Sequence, residues 1–165
     1  MISPTLIALM TVLQVEASRP QPPIAEISGR ATVISADTIE LKGERIRLAG
    51  ITGPDISETC DLQGAPTRCG EQSAQQLRAA IGDEFVLCDH LEVNAAGVKV
   101  GRCWLIIPAI PSAPDLNLNR FMVRSGWAWT TPQSEYTPDE EYARRSRLGL
   151  WSDPETVEGL IRNGS

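Results

Sequence analysis

The chain has 165 residues, of which 42% are hydrophobic and 22% charged, as expected for one folded domain of ordinary size. Its formal net charge of −6 argues against a protein that coats long duplexes, because such binding depends on many phosphate contacts with a basic surface. A local anion site is not excluded, since 13 of the 15 basic residues are arginines, whose forked donors suit a phosphate.

The N-terminal segment contains a short apolar run at residues 5–13 (TLIALMTVL), which is too short to span a bilayer. Small residues follow it near Ala17, so we predict a secretory signal peptide over residues 1–17. An ordinary N-terminal helix is the alternative, because no lysine or arginine precedes the run. Residues 18–28 form a Pro-rich lead-in. We therefore expect a secreted or periplasmic protein with no membrane span after signal cleavage.

The four cysteines agree with export, because their number is even and exported proteins fold in an oxidising compartment. The simplest of the three pairings that four cysteines allow joins Cys60 to Cys69 and Cys88 to Cys103. A zinc site is the competing interpretation. It is disfavoured because the sequence has no CxxC motif and its one histidine is His90.

Three strands are predicted at the start of the domain from alternating polar and apolar residues, at 30–36, 38–41 and 45–51. A tight turn at residues 42–44 joins the second strand to the third. On the third strand, Arg45 and Arg47 share one face, and Ile46 and Leu48 share the other.

A loop at residues 52–70 follows, and then a helix at 71–81 that ends at Gly82. The remaining elements are predicted as strands at 84–88 and 99–107, a Pro-rich link at 108–114, and helices at 116–126 and 139–148, the last capped by Gly149. This order fits a five-stranded Greek-key barrel with three helices, an OB-type fold in the α+β class. Four tryptophans are expected to pack in the core or in a groove wall: Trp104, Trp127, Trp129 and Trp151.

Four residues are candidates for chemistry: Asp37, Arg47, Asp55 and Arg102. Each also has an ordinary structural interpretation. An aspartate before a threonine at a turn usually bonds its own backbone, and a strand arginine usually faces solvent or an ion-pair partner. Their order along the chain is more informative than any one of them.

The sequence GRATVISADTIELKGERIRLAGITGPDI at residues 29–56, followed by CGE at 69–71 and VGRC at 100–103, resembles the staphylococcal-nuclease-like (thermonuclease) family. The C-terminal sequences FMVRSGWAW and EEYARRSRLGLWS add to the resemblance, which covers residues 29–152. The similarity implies an OB barrel with helices, of the secreted bacterial type that contains disulfides. Residues 153–165 are then a C-terminal tail.

The resemblance implies calcium-dependent cleavage of DNA and RNA. It places Asp37 in the calcium motif, Arg47 and Arg102 on the phosphate, and Asp55 where the family has a glutamate that positions water. Arginines hold the charge that develops on phosphate oxygens, and a hard cation takes oxygen ligands. We expect a monomer that acts on nucleic acid.

Two departures weaken the metal side of this prediction. Thr52 stands where the family has a metal-binding aspartate, and Asp55 is one methylene shorter than glutamate. The sequence therefore predicts an exported nuclease with weakly bound Ca²⁺. The alternative is a catalytically degenerate module that binds nucleic acid, a nucleotide or a protein partner.

Overall fold

The computed structural model describes residues 26–106 and 116–164. The predicted signal peptide, nearly all of the Pro-rich lead-in and the link at 108–114 lie outside the described residues. Within those described ranges, no helix is both long enough and apolar enough to cross a membrane.

Ten strands and four helices are present in the described residues. The strands are β1 (Ile27–Ser35), β2 (Thr38–Leu41), β3 (Glu44–Leu48), β4 (Ile51–Thr52), β5 (Cys60–Leu62), β6 (Ala65–Thr67), β7 (Phe85–Val93), β8 (Lys99–Ile106), β9 (Leu116–Asn117) and β10 (Trp129–Thr130). The helices are α1 (Cys69–Ile81), α2 (Leu118–Arg124), α3 (Thr137–Ser146) and α4 (Pro154–Arg162), with a 3₁₀ turn at Gly149–Ser152.

Five long strands form the predicted barrel. They are hydrogen-bonded in the order β3-β2-β1-β7-β8, and a parallel pairing of β3 with β8 closes the ring. In that pairing Arg47 lies opposite Val100 and Leu48 lies opposite Gly101. Helix α2 packs against β8, and α3 packs against α2. The prediction of an OB-type barrel with helices is confirmed.

The alternation on β3 sets the orientation of the candidate arginine. Ile46 and Leu48 are buried in the barrel core, whereas Arg45 and Arg47 are exposed, as predicted. The preceding turn uses Lys42 and Gly43, both with positive φ (52° and 80°). Two consecutive positive φ values match the twist of a two-residue hairpin, which fixes the register of β2 with β3.

Both disulfides join the predicted partners. Cys60 in β5 is bonded to Cys69 at the start of α1, with their Cα atoms 5.9 Å apart. Cys88 and Cys103 lie directly opposite each other on β7 and β8, with a Cα–Cα distance of 4.1 Å. Both members of the second pair are fully buried, so this disulfide belongs to the barrel core.

The C-terminal part of the chain holds more structure than predicted. Residues 153–165 were expected to be a tail, but they include α4, whose Val157 and Leu160 are buried with Trp151 in a second apolar cluster. The prediction of three helices is therefore one short. Two apolar residues three positions apart in a nine-residue segment are a weak helix signal without their tertiary partners.

Two smaller predictions are wrong. Helix α3 is capped by Arg147, in the left-handed conformation, and not by Gly149. Gly149 also has a positive φ, but it lies two residues farther on, where a Cβ would overlap the carbonyl of Gly126. Trp104 was expected in the core but is only half-buried, on the outer face of β8, where Cys103 and Leu105 on either side of it point inward.

Several element boundaries also differ. The strand predicted at 84–88 continues to Val93, across an irregularity in register between Asp89 and Glu92. The loop predicted at 52–70 contains the short β5–β6 hairpin. The helix predicted to start at residue 116 begins at Leu118, because the Asn117 side chain accepts a hydrogen bond from the Arg120 N–H and caps it.

Candidate functional site

Asp37 sits at the step between β1 and β2, and its carboxylate is buried (6% exposed). Oδ1 accepts hydrogen bonds from the hydroxyls of Ser35 (3.0 Å) and Thr38 (2.9 Å). Oδ2 accepts from Nη2 of Arg47 (3.1 Å) and from the backbone N–H of Gly53 (3.3 Å). Four donors occupy about as many acceptor positions as an ionised carboxylate offers.

Arg47 is brought to Asp37 by the β2–β3 hairpin, in which Thr38 lies opposite Arg47. Its side chain is 44% exposed, and within the described ranges its one polar partner is Asp37. The carboxylate thus fixes the guanidinium through a single nitrogen. The remaining N–H groups of Arg47 are available to an anion in the adjacent cleft.

Asp55 follows β4 on the exposed side of the same cleft. Its Oδ1 accepts from the backbone N–H (3.0 Å) and the hydroxyl (2.8 Å) of Ser57. These two hydrogen bonds, the backbone one first, hold the pKa of Asp55 below its ordinary value, because they stabilise the carboxylate form. Asp55 is therefore ionised at neutral pH and is a weak proton acceptor.

We call the space between these side chains the Asp37 cleft: it has a volume of about 290 Å³ and is lined by Ser35, Asp37, Thr38, Arg47, Gly53, Pro54, Asp55 and Gly164. Two glycines allow its close packing. A Cβ on Gly53 would overlap that of Ala36, and one on Gly70 would overlap the carbonyl oxygen of Asp55. The backbone that carries Asp55 is therefore pressed against the start of α1.

Arg102 lines a different space, which we call the Arg102 cleft. This cleft has a volume of about 580 Å³ and is bounded by β8, the β7 irregularity and the loop before α3, through Ala49, Gly50, His90, Glu92, Val100, Arg102 and residues 131–136. Three of the four predicted site residues thus share one cleft, and the fourth does not. The two clefts include residues of neighbouring strands, because Arg47 of the first lies opposite Val100 of the second in the β3–β8 pair.

The neighbours of Arg102 are mostly acidic. Its Nη2 lies 2.7 and 2.9 Å from the two ring nitrogens of His90, and its Nε lies 3.6 Å from Oδ1 of Asp89. Nη1 is 3.9 Å from a carboxylate oxygen of Glu135. Nε of Arg102 and Oδ1 of Asp89 are buried and make no hydrogen bond with the part of the chain that the structure describes. A ligand anion would therefore have to compete with His90, Asp89 and Glu135 for Arg102.

Comparison with known proteins identifies the architecture. The family model of staphylococcal nuclease homologues matches residues 45–153. This span includes Arg47, Asp55, the lining of the Arg102 cleft and α3, whereas Asp37 lies before it. The chain belongs to this family.

Proteins similar to the chain carry different names. The chain is 31% identical to the succinoglycan biosynthesis protein ExoI of Rhizobium meliloti (strain 1021), over 91% of this chain and 74% of that protein. It is 30% identical to an uncharacterized endonuclease of Escherichia coli O157:H7 (83% and 85%). It is 29% identical to a micrococcal nuclease of Shigella flexneri (76% and 74%).

The donors around Asp37 do not fit a resident calcium ion of the kind the family resemblance implies. Calcium in proteins takes six to eight oxygens, usually with several carboxylates. Here Asp37 is saturated by four donors, one of them the Arg47 cation. The second carboxylate of the cleft, Asp55, is exposed and bonded to Ser57. Among the described residues, no cluster of three acidic, cysteine or histidine side chains is arranged to hold a metal.

The sequence did not single out Asn119, which supports the backbone around Arg102 and just after β3. Its fully buried amide donates to the carbonyls of Ala49 (2.9 Å) and Gly101 (3.2 Å) and accepts from the N–H of Cys103 (3.0 Å). Asn119 thus fixes the backbone on both sides of Arg102. An asparagine in an apolar helix pattern was the available signal, because such a residue needs partners when it is buried.

Proposed function

We propose that the chain is a nuclease that hydrolyses phosphodiester bonds of DNA or RNA, with the phosphate bound in the Asp37 cleft. The observation that carries the proposal is the exposed Arg47 guanidinium anchored on a buried carboxylate. An endonuclease and a micrococcal nuclease among the relatives support the reaction type.

Arg47 supplies the phosphate-binding step. Its N–H groups that are not used by Asp37 can form charge-assisted hydrogen bonds with the non-bridging oxygens of a phosphodiester. Attack by water adds negative charge to those oxygens, so the same bonds strengthen in the transition state and lower the barrier. Asp37 holds the guanidinium in place, which reduces the entropy lost when the anion binds.

Arg102 is the second proposed clamp. It lies on the strand next to Arg47, but a phosphate would have to compete with His90, Asp89 and Glu135 for it. We propose that Arg102 adds charge to the site without replacing Arg47.

Asp55 is proposed to orient the attacking water. Its carboxylate is ionised at neutral pH and lies on the rim of the Asp37 cleft. Its lowered pKa makes it a better hydrogen-bond acceptor for positioning water than a base for removing the proton completely. The shorter side chain, compared with glutamate, is expected to reduce the rate.

Calcium dependence is a prediction of the family resemblance, and we propose that any calcium involved binds weakly, in the millimolar range. With Asp37 proposed as its one carboxylate ligand, the ion would have to displace hydrogen-bond donors from that carboxylate, which makes its binding weak. Bound calcium would add to the roles of Arg47, Arg102 and Asp55 by neutralising phosphate charge, so activity should rise when it is present.

Export is proposed from two features. The apolar N-terminal segment over residues 1–17 is the proposed signal peptide, and the two disulfides support folding in an oxidising compartment. The mature protein would be secreted or periplasmic and monomeric, with the nuclease-like domain at 29–152 after the 18–28 lead-in, and α4 in the 153–165 segment.

A catalytically degenerate module that binds nucleic acid, a nucleotide or a protein partner is the second candidate. The saturated state of Asp37 and the threonine at position 52 favour it, because both weaken the metal side of a nuclease site. The phosphate-binding half of the site is the same in both candidates, so activity decides between them.

The test is cleavage of DNA and RNA by the disulfide-bonded protein, with calcium varied from zero with chelator to about 10 millimolar, roughly ten times the weakest Kd expected for an extracellular site. We expect activity that rises through the millimolar range and falls strongly in Asp37→Asn. The matched control is Asp61→Asn, an exposed aspartate on β5 outside the cleft.

Activity that is unchanged by chelator would contradict the calcium prediction but leave phosphodiester hydrolysis standing. Absence of cleavage under all conditions, with oligonucleotide binding retained, would support the degenerate module. Equal loss in Asp61→Asn and Asp37→Asn would remove the assignment of the Asp37 cleft.

A further inference from the structure

A third cleft lies on the outer face of the barrel, beyond the Arg102 cleft. We call it the Trp104 groove. It has a volume of about 660 Å³, and its walls include Trp104, Phe121, Tyr142, Leu148, Arg120 and Arg124. Trp104 and Phe121 are half-buried and Tyr142 is 40% exposed, so all three rings present a face or edge to the groove.

Two arginines in this groove are fixed on one carboxylate. Asp139, at the start of α3, is buried (9% exposed) and accepts from Nε of Arg120 (3.1 Å) and Nη1 of Arg124 (3.0 Å). Each arginine uses one nitrogen for Asp139 and remains more than half exposed. Their remaining N–H groups face solvent as a preorganised pair of anion donors.

The charge of the groove is opposite to that of the protein. Two guanidinium groups against one carboxylate give +2 − 1 = +1, in a chain whose net charge is −6. The guanidinium of Arg124 also lies 4.1 Å from the centroid of the Tyr142 ring. A flat apolar wall beside fixed cations fits a ligand that combines an aromatic ring with a negative charge.

The position of the groove links it to the proposed phosphate site. Side chains alternate along a strand, so Trp104 shares the outer face of β8 with Arg102 and Val100. Val100 lies opposite Arg47, and Trp104 is four residues, or about 13 Å, farther along the strand. Tyr136 lines the Arg102 cleft, and the guanidinium of Arg120 lies 5.9 Å from its ring.

We propose that the Trp104 groove binds a flanking nucleotide of a single-stranded nucleic acid whose scissile phosphate lies at Arg47. The base stacks on Trp104 and Phe121, and a phosphate is held by Arg120 and Arg124. Stacking of this kind accepts any base, so the groove sets a preference for single strands of sufficient length rather than for a sequence. This inference rests on the proposed function.

The experiment measures binding of fluorescein-labelled thymidine oligonucleotides by anisotropy, in chelator to prevent cleavage. An octanucleotide reaches both sites, whereas a dinucleotide occupies the Asp37 cleft alone. Trp104→Ala should weaken octanucleotide binding by about tenfold, because one stacked base is lost. Arg124→Gln should reduce the slope of log Kd against log salt by about 0.7, the value for one phosphate contact with a single strand.

The chain offers matched controls. Arg30 lies 5.3 Å from the ring of exposed Phe85 and reproduces the arginine–aromatic pairing, and neither residue lines the groove. Arg30→Gln and Phe85→Ala should bind the octanucleotide as the unmodified protein does, and all four variants should bind the dinucleotide normally. Thermal unfolding checks Trp104→Ala, and Arg124→Gln provides an independent variant at an exposed side chain.

The outcomes separate this inference from the proposed function. Unchanged octanucleotide binding in Trp104→Ala and Arg124→Gln, with both ligands lost in Arg47→Ala, overturns the groove assignment and leaves the phosphate site standing. Weaker octanucleotide binding in a protein that never cleaves supports the groove and contradicts hydrolysis. An equal loss of affinity for an octaglutamate peptide in Trp104→Ala would overturn base stacking, because that probe carries charge without bases.

Discussion

The Asp37 cleft and the Arg102 cleft each contain one arginine on the same side of the barrel, but the two arginines are held differently. Arg47 has one partner, a buried carboxylate, and the rest of its guanidinium is open to the cleft. Arg102 is surrounded by His90, Asp89 and Glu135. An anion can bind Arg47 without displacing a protein group, whereas at Arg102 it must compete with acids.

The hydrogen bonds of Asp37 also favour phosphate binding over metal binding in its cleft. Asp37 is used to fix Arg47, and four donors leave its oxygens little capacity for a cation. A site whose buried carboxylate is bound to an arginine is better suited to anions than to divalent ions. The Asp37 cleft can therefore accept an anion without rearrangement, whereas a divalent ion would have to displace hydrogen bonds of Asp37.

The largest expected effect on stability is at Asn119, which supports the backbone on both sides of Arg102. Asn119→Leu leaves the carbonyls of Ala49 and Gly101 and the N–H of Cys103 without their partner, which should lower the free energy of unfolding by about 3 kcal/mol or more. Urea unfolding measures this. Asn94→Leu is the control, because Asn94 also accepts backbone hydrogen bonds but in an exposed turn. Equal losses in the two variants would show that Asn119 has no special role.

The two disulfides should differ in their effects on stability and on cleavage. Replacing Cys88 and Cys103 by alanine should cost about 3 kcal/mol of unfolding free energy, and replacing Cys60 and Cys69 about 2.5 kcal/mol, from the loop lengths. The second change should reduce cleavage more, because Cys69 precedes Gly70, which packs on the backbone of Asp55. If activity is lost mainly when the Cys88–Cys103 pair is replaced, the Arg102 cleft would contribute more to cleavage than the Asp37 cleft.

Removing one acidic side chain near Arg102 should make the Arg102 guanidinium more available to an anion. Glu135→Gln should increase affinity for an oligonucleotide by about two- to threefold, because Glu135 no longer competes with the phosphate for Arg102. The gain is small because a solvent-exposed ion pair at 3.9 Å is weak. Anisotropy at low salt detects a change of this size. Glu141→Gln, an exposed glutamate on α3, is the control for net charge. A decrease in affinity would mean that Glu135 positions Arg102 rather than competing for it.

The smallest expected effect is a shift in the titration of Asp55. Ser57→Ala removes the hydroxyl donor, so the pKa of Asp55 should rise but stay below its ordinary value, because the backbone N–H of residue 57 remains. A lowered carboxyl pKa stabilises the fold above the unfolded-state pKa, and this contribution is lost as pH falls through the folded-state value. The acid limb of the pH–rate profile should move to higher pH. Ser57→Thr, which keeps a hydroxyl, should leave it unchanged.

The barrel and the faces of its strands could be predicted because they depend on local patterns. Alternation placed Arg47 outward and Ile46 inward, and the cysteine positions gave the correct disulfides. The partners of each arginine could not be predicted in the same way. Arg102 meets His90 through an irregularity in β7, where His90 has a positive φ of 52°, and no local pattern marks such a site.

Long-range contacts account for the other differences. Helix α4 is stabilised by packing on Trp151, and the Trp104 groove exists because α2, α3 and β8 meet there. Asn119 acquires its role from three backbone groups, of which Ala49 lies 70 residues away. The family pattern located the four candidate residues, but which of them share a cleft depends on the closure of the barrel by β3 and β8.

The most direct test of the central claim compares two arginines on one strand. Arg45 and Arg47 are both exposed on the outer face of β3, but only Arg47 lines the Asp37 cleft. If Arg47 binds the phosphate, kcat/KM for a single-stranded oligonucleotide should fall by about 100-fold or more in Arg47→Ala, the usual loss for one transition-state donor. It should change by less than about twofold in Arg45→Ala, which removes the same charge farther from the site. Similar losses in both variants would contradict the account.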